Sequence, residues 1–146
     1  MITAVSDAHA QRLAAIHAEA FDAPWDAQTV KALLGAPGVM ALAEGEDGFL
    51  LIRVVADEAE ILTLATRTAA RRRGVGWRLV LAAAAQASHC GAQRLFLEVA
   101  ADNGEALRLY RRANFMQAGL RKGYYSRPGG ERVDALVLAR ALEPPA

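Results

Sequence analysis

The chain alternates between short apolar runs of strand length and longer stretches whose apolar residues recur at helical spacing. An apolar segment at 2–5 leads into a helical pattern over 7–20, with Ser6 or Asp7 available as its N-cap. Ala23-Pro24-Trp25-Asp26 breaks that pattern. Asp26 can cap a second helix at about 27–34, which Gly35 and Pro37-Gly38 end. Segments 39–43 and 49–56 read as strands of a hairpin joined by Glu44-Gly45-Glu46-Asp47-Gly48. A longer strand at 58–66 precedes a helix over 75–89, stopped by Gly91. Strand 94–100, helix 103–112 and a closing strand pair at 115–125 and 132–142 complete the series. The order β-α-α-β-β-β-α-β-α-β-β predicts a mixed α/β sheet of six or seven mostly antiparallel strands. Its middle crossover makes one central parallel pair, and helices lie on both faces.

Composition sharpens this picture only in places. The 146 residues suit one domain with its own core, followed by a loose tail at about 143–146. Net charge is +1, but residues 1–60 hold ten acids and three bases, whereas residues 61–97 hold six arginines and no acid. A local basic block on a nearly neutral chain points to one anionic ligand at one place rather than to a nucleic-acid surface; a solvated arginine face is the plain alternative. The single cysteine, Cys90, excludes an intrachain disulfide and makes a reducing cytosol the expected compartment. His9, His17 and His89 lack metal-ligand spacing, and His9 and His17 read as surface or core-edge residues of one helix. No secretory pattern or membrane-length apolar run stands out, so a soluble, cytoplasmic, metal-free protein is expected.

Four features between 61 and 110 carry the chemistry. The apolar run Ile61-Leu62-Thr63-Leu64-Ala65 meets the basic turn Arg71-Arg72-Arg73-Gly74-Val75-Gly76, at the start of the helix over 75–89. Glycines there let backbone N–H groups approach an anion, the helix dipole adds favourable potential, and the arginines neutralise further charge. The turn fails both the G-x-G-x-x-G and the Walker pattern, and by itself it equally fits an ordinary basic helix start. In Leu95-Phe96-Leu97-Glu98-Val99 a lone acid shares a strand face with Phe96, where it reads as a general base or as a paired strand-end carboxylate. Asn103 and Tyr110 stand two helical turns apart; singly, they read as an N-cap and a core aromatic.

Taken together, Ile61–Ala65, R-x-x-G-x-G at 71–76, Leu97-Glu98-Val99, Asn103 and Leu109-Tyr110 resemble the motifs of the GNAT acetyltransferase superfamily. Ala23-Pro24-Trp25 and Gly123-Tyr124-Tyr125 with Asp134-Ala135 narrow the resemblance to the bacterial ribosomal-protein-alanine N-acetyltransferases of the RimI type. The resemblance implies acetyl-CoA as co-substrate. Leu64, Ala65 and Thr66 would meet its pantetheine, Arg72, Arg73, Gly74, Val75, Gly76 and Trp77 its pyrophosphate, and Asn103 would hydrogen-bond it. It further implies Glu98 as general base and Tyr110 as the acid that protonates the leaving thiolate. Trp25, Tyr124 and Tyr125 would line the acceptor channel, although hairpin tyrosines packed on a sheet read equally well. Asn114 stands where relatives carry glycine, and asparagine tolerates the left-handed backbone such a turn needs.

The expected reaction is acetyl transfer to the N-terminal α-amine of a protein, a ribosomal protein with a small first residue such as Ala or Ser. A lysine or small-molecule amine acceptor, or a non-catalytic acetyl-CoA-binding module, are the alternatives. No metal, nucleic acid or membrane partner is expected.

Overall fold

The computed structural model describes residues 1–145; the expected tail at 143–146 extends to Ala146, which lies outside the described residues. Strands β1 (Ile2–Val5), β2 (Val39–Glu44), β3 (Gly48–Val55), β4 (Glu58–Thr66), β5 (Arg94–Ala100), β6 (Met116–Ser126) and β7 (Arg132–Ala141) form one sheet. Their spatial order is β1-β2-β3-β4-β5-β7-β6. Every neighbouring pair is antiparallel except β4 and β5. Helices α1 (Ala10–Ala20) and α2 (Ala27–Leu34) pack on one face, around Leu13, Ile16, Val30, Phe49 and Leu51. Helices α3 (Val75–His89) and α4 (Gly104–Arg112) pack on the other, around Leu79, Ala83, Leu95, Leu97 and Tyr110.

Most boundaries fall within a residue or two of those the pattern predicts, and the departures have local causes. The stretch 7–20 is not one helix: a 3₁₀ turn at Asp7–His9 precedes α1, and neither Ser6 nor Asp7 provides a side-chain cap. The His9 N–H instead bonds to the Ser6 carbonyl, so backbone geometry closes that turn. Asp26 does cap α2, accepting from the Thr29 N–H at 2.8 Å. Gly91 takes the left-handed conformation after α3 (φ 93°), and Asn114 does so after α4 (φ 69°).

Two irregularities of β4 prepare the site. Leu51 pairs with Thr63 while Ile52 pairs with Ile61, so a bulge leaves Leu62 as an extra residue on β4. The bulge reverses the facing of the strand. Ile61 belongs to the core under α3, whereas Ala65, which strict alternation would put on the same face, belongs to the core under α1. Pairing with β5 is also brief, running only from Glu58–Arg94 to Glu60–Phe96. Beyond it the two parallel strands diverge, and β4 from Ile61 onward has no strand neighbour on that side among the described residues. The gap leaves backbone donors and acceptors free at the middle of an otherwise continuous sheet.

Candidate active site

The basic turn lies between a 3₁₀ turn at Thr68–Ala70 and the first residue of α3. Arg72 and Gly74 both have left-handed backbone, with φ of 65° and 78°. Such alternation curls successive N–H groups into a concave anion site, and the uncapped N-terminus of the 15-residue α3 adds its dipole. Arg78, one turn into the helix, braces the turn from behind. Its guanidinium holds the Glu44 carboxylate at 2.6 and 2.7 Å and donates to the Arg73 carbonyl at 2.9 Å. That pair keeps the Glu44 carboxyl below its usual pKa.

From this turn a groove of about 540 Å³ runs along β4 and α4. Of the residues expected to hold the co-substrate, Leu64, Thr66, Arg72, Gly74, Val75, Gly76, Trp77 and Asn103 line it, whereas Ala65 and Arg73 do not. Ala65 is 1 % exposed and packs toward α1, leaving only its backbone for any role at the β4 edge. The groove also draws Arg71, Arg108 and Arg112 to its wall, against the single acid Glu105. Arg112 lies over the Trp77 ring at 4.4 Å. No sequence pattern marks the α4 arginines, which enter the site only once α4 docks beside α3. Asn103 caps α4, accepting from the Ala106 N–H at 3.2 Å, while its side-chain NH₂ makes no hydrogen bond among the described residues.

An anionic, elongated ligand fits this site. The lining carries excess positive charge. Gly76 lets the start of α3 approach α4, since an added Cβ would come within 3.3 Å of the Leu109 side chain. At Gly48, beneath the end of β4, an added Cβ would meet the Ala65 carbonyl oxygen and a Val75 methyl, both at 2.9 Å. Glycine there lets β3, β4 and the start of α3 close together, a requirement invisible in a residue that reads as part of a turn.

Glu98 and Tyr110 lie on opposite sides of β5. Leu95, Leu97 and Val99 are buried under α3, so Glu98 faces the side that α1 and α2 occupy farther along the sheet. Arg121 of β6 pairs with Glu98 at 3.3 Å. Tyr110 is buried against Phe115, ring centroids 5.5 Å apart, and its hydroxyl has no hydrogen-bond partner among the described residues. Burial raises its pKa above the ordinary phenol value and so keeps it protonated. Trp25 stacks on His17 beside the splayed β4. His17, expected at the surface or the edge of the core, is instead 2 % exposed, because both its ring nitrogens find partners there.

Tyr124 and Tyr125 lie on the irregular part of β6, where the register against β7 shifts between Arg121 and Tyr125. Asp134 explains the irregularity: its carboxylate accepts from the N–H of Gly123, a residue at φ 59°. The two segments of the Gly-Tyr-Tyr and Asp-Ala motif are thus one bulge and its clamp. Tyr125 has its pKa raised by burial and, second, by the nearby Glu98 charge, which puts the two side chains in one neighbourhood. Among the described residues no cluster of His, Cys, Asp and Glu suits a metal ion, and no helix is long and apolar enough to cross a membrane.

A sheet split between two parallel strands, with an anion-binding turn where one of them feeds a helix, is the architecture of acetyltransferases that use acetyl-CoA. Residues 10–115 match the family model described as Acetyltransferase (GNAT) family, and the chain belongs to that family. It is an N-acetyltransferase, and its relatives include bacterial ribosomal-protein-alanine enzymes. It is 30 % identical over 145 residues to the "[Ribosomal protein bS18]-alanine N-acetyltransferase" of Haemophilus ducreyi, covering 97 % of this chain and all of the relative. The protein of that name from Haemophilus influenzae is 32 % identical over 132 residues, 88 % of this chain and 90 % of the relative. The crystal structure of the Escherichia coli ribosomal-protein-S18-alanine N-acetyltransferase superposes with a TM-score of 0.90 at 26 % identity. It covers all of this chain and 96 % of that one.

Proposed function

We propose that this protein transfers the acetyl group of acetyl-CoA to the N-terminal α-amine of a protein, with a ribosomal protein beginning in Ala or Ser as the acceptor class. The observation that carries the reading is the divergence of β4 and β5 after Glu60 and Phe96. It opens a passage between the basic groove on the α3–α4 side and the face that carries Glu98. The two substrates can then meet from opposite sides of the sheet. The relatives' acceptor, ribosomal protein bS18, supports the choice of a protein α-amine.

Within that reading the groove holds the co-substrate. Arg71, Arg72 and the start of α3 take its phosphates, and the free edge of β4 takes the amides of its pantetheine arm. Acetyl-CoA supplies the activated acyl carbon. An α-amine has a pKa near 8 and arrives largely protonated at neutral pH, so it must lose a proton before it can attack. Glu98 takes that proton, directly or through one water. Backbone N–H groups near Leu64 and Ala65 are the donors available to the oxyanion. Tyr110, held protonated by its apolar surroundings, returns a proton to the departing thiolate.

Peptides beginning in Ala, Ser, Met or Gly, each paired with a copy blocked at the α-amine but carrying a free lysine, test the reading. Acetylation confined to free α-amines is expected. Transfer to the blocked copies moves the acceptor to lysine, and silence on every peptide moves it to small amines or to binding without transfer.

A further inference from the structure

His17 is buried, whereas His9 and His89 are exposed, and the chemistry above leaves it unused. Its imidazole is stacked between two aromatic rings, Phe21 at 4.2 Å and 17° and Trp25 at 4.8 Å and 11°. The Trp25 backbone N–H donates to Nδ1 at 3.1 Å, and Nε2 lies 3.1 Å from the Thr63 hydroxyl. With Nδ1 accepting, the neutral ring carries its proton on Nε2 and donates it to Thr63. One side chain therefore ties the segment between α1 and α2 to β4.

The point of attachment matters. Thr63 immediately follows the bulge, on the arm of β4 that has left β5, and its neighbour Leu64 lines the groove. Phe21, on the near side of the imidazole, lines the same groove although it lies at the end of α1. Thr63 and Glu98 flank the divergence of β4 and β5 on the sheet face that carries α1. The stack Phe21–His17–Trp25 thus forms a wall of the passage on its β4 side, opposite the carboxylate.

We propose that His17 is a positioning residue for the acceptor: it locks the 21–26 segment onto the free arm of β4 and so sets the wall that the incoming amine's residue meets. This deepens the acetyl-transfer reading and rests on it. His17 touches neither the reacting atoms nor the groove itself; it acts through Phe21 and Trp25.

The full-length protein and three variants test this. His17→Phe keeps a ring in the stack and removes both hydrogen bonds. Thr63→Val is isosteric and removes one, and carries the test alone if the first variant does not fold. His17→Asn restores an acceptor near the position of Nδ1. Loss of a buried hydrogen bond should raise the peptide KM about threefold to tenfold in the first two variants. Their kcat should stay within about twofold of wild type, acetyl-CoA Kd should change less than the peptide KM, and His17→Asn should recover part of the loss. Hydrogen exchange over residues 21–26 should accelerate in the first two variants while α3 and β5 stay protected. Equal losses of acetyl-CoA affinity and peptide KM, or an unchanged peptide KM, would overturn the proposal. If the wild-type protein acetylates no peptide, the acceptor reading fails separately and exchange decides the rest. Acceleration confined to 21–26 then upholds the lock, and unchanged exchange overturns it.

Discussion

Arg121 reaches across strand β7 to place its guanidinium 3.3 Å from the Glu98 carboxylate. The arginine side chain is 55 % exposed, so the pair contributes at most about 1 kcal/mol, and losing it should cost no more than about fivefold in rate. Arg121→Gln is therefore expected to lower kcat/KM modestly. Glu98→Gln should lower kcat at neutral pH by about a hundredfold or more while leaving acetyl-CoA Kd within about twofold. Steady-state kinetics beside a binding titration separate the two. A Glu98→Gln enzyme as active as Arg121→Gln would remove Glu98 from the reaction.

Tyr110→Phe isolates a hydroxyl from its ring. The ring packs edge-on to Phe115 and is buried, while the hydroxyl has no protein partner among the described residues, so unfolding free energy should change by less than about 1 kcal/mol. Turnover should fall tenfold or more. A thermal melt and a kcat measurement on the same preparation check both halves.

Three glycines, of which only Gly74 lines the groove, should respond differently to alanine. Gly74→Ala places a side chain in left-handed backbone and a Cβ 3.0 Å from the Arg78 guanidinium, costing about 1–2 kcal/mol and weakening acetyl-CoA binding. Gly48→Ala meets backbone oxygen at 2.9 Å and should be the more disruptive, because β4 itself must move. Gly45→Ala, also left-handed but with nothing within 4 Å, should pay only the backbone strain and leave binding unchanged. Denaturant midpoints and acetyl-CoA titrations give the ranking.

Burial pushes the His17 pKa from 6.5 down to about 4. Below pH 6.5 the unfolded chain takes up a proton that the folded one refuses, so stability falls as pH drops from about 6.5 to about 4. The full effect amounts to about 3 kcal/mol. His17→Phe should lack this component. Carboxylates with lowered pKa, such as Glu44, also lose stability in acid, but they do so equally in both proteins. The wild-type minus variant difference, measured by urea unfolding between pH 4 and 7.5, should shrink as pH falls. A difference independent of pH would refute the buried neutral imidazole.

Much of this architecture was legible in the chain. Period-two and helical spacing located all seven strands and the four helices, because each element buries one face and local pattern records that burial. Asp26, Gly91 and Asn114 announced their turns because cap and left-handed positions depend on a residue's own chemistry. The basic turn and the strand face of Glu98 were readable for the same reason: contiguous residues in a short span set them.

What the tertiary structure decided depends on contacts between distant segments. The bulge at Leu62 turns Thr63 toward His17, 46 residues away, and converts a histidine that reads as peripheral into a buried tie. Arg108 and Arg112 join the groove because α4 docks beside α3, and Arg121 meets Glu98 because β7 inserts between β5 and β6. The divergence of β4 from β5 leaves no mark in either strand's composition. Local pattern sets which face of a segment is buried, but which strand lies beside it, and for how many residues, is settled only when the whole sheet assembles.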